Sequence, residues 1–196
     1  CWYEVHLSGA GFNVAGGGYI GVPGIIFGRN ERMGWGLTNN ICSQRDLYRE
    51  KEDPKHPGCF LYDTKWEPWH EVSEEIKVKG GNSVKKVIRY SRNGPIIDHL
   101  LDDHVRGTQS VSLRWLGTEF SDEISSLLEI NRAASLEQFR SSLSNWKVPT
   151  WSFGFADVDG NIGYQCAGSI PIRLKWDRGF REGWNPNHQW DGIVPL

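Results

Sequence analysis

The chain has 196 residues, 38% of them hydrophobic and 23% charged, with a formal net charge of −2. That is the composition of a globular domain, and it gives no electrostatic case for nucleic acid or an anionic membrane surface as partner. No apolar run approaches the roughly 20 residues that a membrane-spanning helix requires, and no signal-peptide pattern opens the chain.

The first residue is Cys, not Met, so the sequence is expected to be a processed or incomplete product. Short apolar stretches follow between glycines: 2–7 (WYEVHL), 19–28 (YIGVPGIIFG) and 33–38 (MGWGLT). Their length and their β-branched and aromatic content predict short strands joined by tight turns. Gly16, Gly17 and Gly18 read as a turn, the alternative being a close backbone approach to a ligand. A polar stretch follows, with turn residues at Asp53, Pro54, Pro57 and Gly58. From Glu75 to Tyr90 apolar residues alternate around Gly80-Gly81-Asn82, which predicts a β-hairpin with its lysines toward water. Residues 110–116 read as one more strand.

Residues 121–146 are the helical region. Ser121 or Asp122 caps a first helix carrying Ile124, Leu127 and Leu128. Ser135 and Gln138 form a capping box for a second, with Leu136, Phe139, Leu143 and Trp146 at helical spacing, and Pro149 ends it. Residues 151–168 predict two strands joined through Asp159-Gly160. The remainder, with Trp176, Trp184 and Trp190, reads as an ordered surface loop. Strands, then helices, then strands again predict an α+β architecture, and no repeat or linker divides the chain.

Motifs exclude several chemistries. There is no GxSxG elbow, HExxH pair, P-loop or GxGxxG turn. The six histidines (6, 56, 70, 99, 104 and 188) show no ligand spacing, and Asp102-Asp103 and Glu74-Glu75 read as solvated surface. Asp157, Asp159 and Asn161 resemble part of a calcium loop, but no bidentate Glu follows, so a hairpin turn held by Asp side chains is preferred. Cys1, Cys42, Cys59 and Cys166 lack CxxC spacing. A zinc site is therefore disfavoured, leaving one disulfide, Cys42 with Cys59, or unpaired buried thiols. An N-terminal Cys is chemically able to act as a nucleophile with its own amine as base. Ten tryptophans suit either an aromatic core or a stacking surface for sugars or aryl groups.

The local patterns then combine. GVPGIIFGRNERMGWGLTNN (21–40) followed by Asp46-Leu47-Tyr48 resembles the signature region of the penicillin acylase (penicillin amidase) family. Asn93-Gly94-Pro95 is similar to the family's Gly-Pro turn, with Asn where His is common. SLLEINRAASLEQF (126–139) resembles its helical segment, FADVDGNIGYQCAGSIPIR (155–173) its GNIGY block, and WDGIVPL (190–196) a following Trp-x-Gly-x-x-Pro segment. The blocks keep their order over nearly the whole chain.

The resemblance implies an N-terminal-nucleophile (Ntn) hydrolase with a four-layer αββα sandwich, of which residues 1–196 would be a single internal fragment of the large β chain. It implies cleavage of acyl amides such as β-lactam side chains or N-acyl homoserine lactones. The acyl-enzyme would form on an N-terminal Ser upstream of this sequence, with the Ser α-amine as base. Cys1 then matches an interior position and loses its candidacy. The residue after the Trp-Gly-x-Thr run, here Asn39, would donate its backbone N–H to the oxyanion. Phe27 and Leu37 match acyl-pocket positions. Asp46, with the carbonyls of Arg45 and Pro171, matches ligands of a structural calcium, although Ser43 stands where a second carboxylate is expected. The resemblance further implies an α chain from the same precursor as partner and a periplasmic or secreted location. Two other readings stand beside it: a non-catalytic carbohydrate-binding module, which predicts coplanar tryptophans on an exposed sheet face, and an inactive acylase paralogue. The hydrolase reading predicts the rings mostly buried.

Overall fold

The computed structural model describes residues 2–175 and 178–195. Cys1 and Trp176 lie outside these residues. In chain order the first strands are β1 (Trp2–Gly9), β2 (Phe12–Tyr19), β3 (Phe27–Arg29), β4 (Met33–Asn39) and β5 (Arg45–Arg49). Then come β6 (Cys59–Tyr62), β7 (Lys65–Pro68), β8 (His70–Ile76), β9 (Val84–Ser91), β10 (Gly94–Pro95), the short helix α1 (Asp103–Arg106) and β11 (Val111–Trp115). Helices α2 (Glu123–Arg132) and α3 (Leu136–Ser142) precede β12 (Trp151–Asp157), β13 (Ile162–Ala167), β14 (Pro171–Arg173), β15 (Arg181–Glu182) and β16 (Trp190–Ile193). The chain is thus α+β and mostly strand. It divides into two compact units, with crossings after Gln44, Trp115, Ile170 and Gly192.

The first unit is a six-stranded antiparallel sheet in the order β1-β2-β3-β4-β12-β13. Helices α2 and α3 cover one face. The register decides which side chains meet them: Trp35 opposes Phe155 and Leu37 opposes Phe153, so this odd-numbered set points to the helices. Phe139 of α3 stacks on Phe155 at 4.3 Å between centroids and meets Phe153 edge-on at 5.9 Å. Both helix starts follow the sequence: Asp122 accepts from the Ser125 N–H, and Ser135 from the Gln138 N–H. Gln138 bonds the Ala134 N–H, one residue earlier than a strict capping box.

Two expectations for the N-terminal third are corrected. Gly16, Gly17 and Gly18 are not a turn; they lie inside β2, where the Phe27 ring covers Gly17 so closely that a Cβ there would come within 2.3 Å of it. The expected strand over 19–28 is broken into the end of β2 and the start of β3. Gly21 and Gly24, at φ 82° and 116°, turn the backbone out of strand geometry between them. Fully buried Ile25 finds its backbone partners in a side chain instead of a strand. The Asn131 amide accepts from the Ile25 N–H at 2.7 Å and donates to its carbonyl at 2.8 Å.

The second unit holds two three-stranded sheets, β10-β9-β8 and β11-β5-β15, together with the β6-β7 hairpin and the β14-β16 pair. The stretch read as a polar connection thus contains β5, β6 and β7, and the expected C-terminal loop contains β14, β15 and β16. The β8–β9 hairpin is present with Lys85 and Lys86 exposed, but Ile76, Val84 and Val87 are exposed too. Glu50 is buried in this unit and its Oε1 accepts from Ser91 Oγ, Ser112 Oγ and Asn93 Nδ2, at 2.5, 2.6 and 3.1 Å. Cys42, Cys59 and Cys166 are free thiols, so the Cys42–Cys59 disulfide does not form.

Candidate functional site

The end of β4 is built by its two neighbours unequally. β3 pairs with β4 only at Gly34 and Trp35, whereas β12 follows β4 as far as Asn39, which lies opposite Trp151. The Asn40 N–H donates to the Thr150 carbonyl at 3.1 Å, and Thr150 Oγ1 donates to the Asn40 carbonyl. In an antiparallel ladder, hydrogen-bonded and non-hydrogen-bonded pairs alternate. Asn40–Thr150 is therefore a bonded pair, Asn39–Trp151 is not, and the peptide N–H of Asn39 points away from β12, past the end of β3. A backbone N–H facing an open flank in this way is of the kind that can donate to a developing oxyanion. The Asn39 side chain is occupied separately, accepting from the Trp151 indole N–H at 3.1 Å.

The two expected pocket residues do not share a face. Leu37 faces the helices beside Phe153, whereas Phe27 lies on the opposite face over Gly17. Around Phe27 the structure assembles rings that sequence reading missed. Trp2 stacks on Tyr19 at 4.0 Å and meets Phe27 edge-on at 4.7 Å. The antiparallel β1–β2 register, which sets Trp2 opposite Tyr19, is the signal that would have found them. Trp2 and Phe27, with Glu4, His6 and Gly17, line a cleft of about 620 Å³.

Asp46, Arg45 and Pro171 belong to the second unit. Arg45 lies opposite Trp115 at the start of β5, and Pro171 opens β14. Asp46 Oδ2 accepts from Arg173 Nε at 2.8 Å and from Trp190 Nε1 at 2.6 Å, and Arg181 Nε stands 4.0 Å away. Arg173 Nη1 also donates to the Pro171 carbonyl at 3.2 Å. A calcium ion needs six to eight oxygens and net negative charge. Here one guanidinium engages both the carboxylate and the carbonyl, and Ser43 supplies no second carboxylate, so the donors present do not fit calcium. Nearby, burial first and the Asp46 charge second push the Tyr48 hydroxyl above its ordinary value, and it donates to the His188 carbonyl at 3.1 Å.

The Asp157 turn is the plain hairpin that the sequence favoured. Asp157 accepts from the Asp159 and Asn161 backbone N–H groups and from the Asn161 amide. The Asn161 side chain is the main cause holding its carboxyl below the ordinary value. Among the described residues no group of three or more His, Cys, Asp or Glu side chains is placed to hold a metal.

Similarity to known proteins spans the whole chain. The family model described as penicillin amidase matches residues 1–196. An acyl-homoserine lactone acylase, QuiP of Pseudomonas aeruginosa, is 28% identical over 206 residues, covering 98% of this chain and 24% of the relative. Penicillin G acylase of Escherichia coli is 28% identical over 195 residues, covering 99% of this chain and 23% of its own length. Among solved structures, the thermostable penicillin G acylase of Alcaligenes faecalis superposes with a TM-score of 0.78 at 26% identity, over 99% of this chain and 35% of that one. The chain spans about a quarter of the length of the curated relatives it matches.

Proposed function

The chain belongs to the penicillin amidase family, and from that premise we propose that it forms part of an amidohydrolase that cleaves acyl amides through an acyl-enzyme. The reading rests on one observation above the others: the Asn39 peptide N–H is aimed off the open flank of β4, at the position where the family resemblance puts an oxyanion donor. The hydroxyl of a Ser outside this chain, giving its proton to the Ser α-amine as base, attacks the amide carbonyl, and the Asn39 N–H stabilises the charge that appears on oxygen. The C–N bond breaks as the amine leaves with that proton, and water then hydrolyses the acyl-enzyme to the free acid. The names of the relatives support β-lactam side chains and N-acyl homoserine lactones as the substrate classes. Phe27, met edge-on by Trp2, which in turn stacks on Tyr19, supplies an aromatic wall for the acyl group.

The same premise extends to the architecture. Helices cover one face of the six-stranded sheet, while the other presents Gly34, Gly36, Gly154 and Ala156 beside exposed Ile162 and Tyr164. Small side chains let a second sheet approach closely, so this face is the inner one of an αββα Ntn-hydrolase sandwich whose second sheet comes from the rest of the polypeptide. An α chain of the same precursor completes the enzyme. The carbohydrate-binding alternative has no support. Trp35, Trp146 and Trp151 are buried, and Trp146 and Trp151 are tilted 36° to each other instead of forming a coplanar exposed platform.

Hydrolysis by the full-length protein of a chromogenic phenylacetyl amide and of a fatty-acyl homoserine lactone tests the proposal. Release of the free acid from at least one substrate is expected. Turnover of neither by correctly processed protein would contradict it.

A further inference from the structure

We propose that Trp151 is a positioning residue for the oxyanion donor: its indole N–H fixes the Asn39 side chain, and through it the direction of the Asn39 peptide. The proposal rests on the reading of Asn39 given above. The last residues of β4, from Gly36 to Asn39, have a ladder partner on the β12 side and none from β3. A strand end held along one edge is free to pivot about that edge, and a pivot swings the N–H that points outward. Asn39 therefore needs a restraint beyond the ladder if its N–H is to stay aimed.

Trp151 is placed to give that restraint. It sits directly across from Asn39 and is only 7% exposed. Its ring packs against Trp146 at 5.0 Å and Phe153 at 6.1 Å between centroids. Trp146 is itself pinned, its indole N–H donating to the Pro149 carbonyl at 2.8 Å. The donor of the 3.1 Å bond to Asn39 Oδ1 thus belongs to the rigid core and cannot follow the strand end. Asn39 then has two roles in separate atoms, with the side chain as tether and the peptide N–H as oxyanion donor. The residue type at 39, which a backbone donor alone leaves open, is selected here by the indole.

A double-mutant cycle in the full-length protein tests this. Trp151→Phe keeps a large ring and deletes the N–H; Asn39→Ala keeps the peptide N–H and deletes the acceptor. Each is expected to lower kcat about three- to tenfold, the scale of one net hydrogen bond, with KM changed less than about twofold. The double variant should be no slower than the slower single one, because both remove the same bond. Asn39→Leu, similar in shape to Asn but without an acceptor, should match Asn39→Ala even if Trp151→Phe fails to fold. Additive losses, an unchanged kcat with lowered stability, or a raised KM at constant kcat would each overturn the proposal. Absence of hydrolysis by the unsubstituted protein would remove the functional reading and this proposal together. Activity with additive losses would remove only the tether.

Discussion

At the scale of single residues, position in the ladder matters more than residue type. Asn39 is legible from the Trp-Gly-x-Thr run that precedes it, since its proposed role belongs to the backbone. Its partner Trp151 lies 112 residues away in sequence, and no local pattern links them. Glu123 shows the same limit. Nothing in its local sequence singles it out, yet it latches the turn before β12, accepting from the Lys147 and Val148 N–H groups, both at 3.0 Å, and from Ser121 Oγ at 2.7 Å. Burial pushes its carboxyl up, but these donors together outweigh burial and hold it below the ordinary glutamate value. A carboxyl depressed in the folded state stabilises the fold above its unfolded value and loses that contribution as pH falls through the folded one. Glu123→Gln should therefore unfold more easily at neutral pH, by about 1 kcal/mol, and the difference should vanish in acid. Urea titrations at several pH values measure it, and a gap independent of pH would contradict the assignment. Gly17 gives a prediction for the proposed acyl wall. Gly17→Ala must displace the Phe27 ring, so KM for an aromatic acyl substrate should change more than kcat in a steady-state assay.

At the scale of elements, the legible ones carry their own local signals. The caps of α2 and α3 and the β12–β13 hairpin follow from Asp122, Ser135 and Asp159-Gly160. β2 was not legible, because three glycines weaken any intrinsic strand preference and only its neighbours β1 and β3 hold it extended. β5 and β6 were hidden for another reason: they alternate weakly within a polar stretch and are fixed by pairing to β11 and β7. The break between β2 and β3 depends on Asn131, a helix residue. Replacing it by Ala would leave the Ile25 N–H and carbonyl buried without partners, at a cost of about 1–3 kcal/mol. Hydrogen exchange should then show the Ile25 amide losing protection while amides in β12 keep theirs; equal loss at both would mean that Asn131 supports the sheet as a whole. Phe139→Ala should cost more, about 3–5 kcal/mol, because that ring joins α3 to Phe153 and Phe155. Thermal unfolding gives the ranking.

At the scale of the molecule, an ordered set of sequence blocks, a family model over 1–196 and a TM-score of 0.78 to a penicillin G acylase agree on the family. The calcium expectation rested on matching single ligands, whereas a cage depends on every oxygen at once, and within this chain Arg173 engages the Asp46 carboxylate and the Pro171 carbonyl. Whether the strand end at Asn39 performs chemistry is the central claim, and a backbone donor is removed most directly by proline. In the full-length protein Asn39→Pro, with folding verified by circular dichroism, should lower kcat for phenylacetyl amide hydrolysis by about 10²–10³, the scale of one oxyanion donor, against the three- to tenfold expected for Asn39→Ala. A proline variant no slower than the alanine variant would contradict the account.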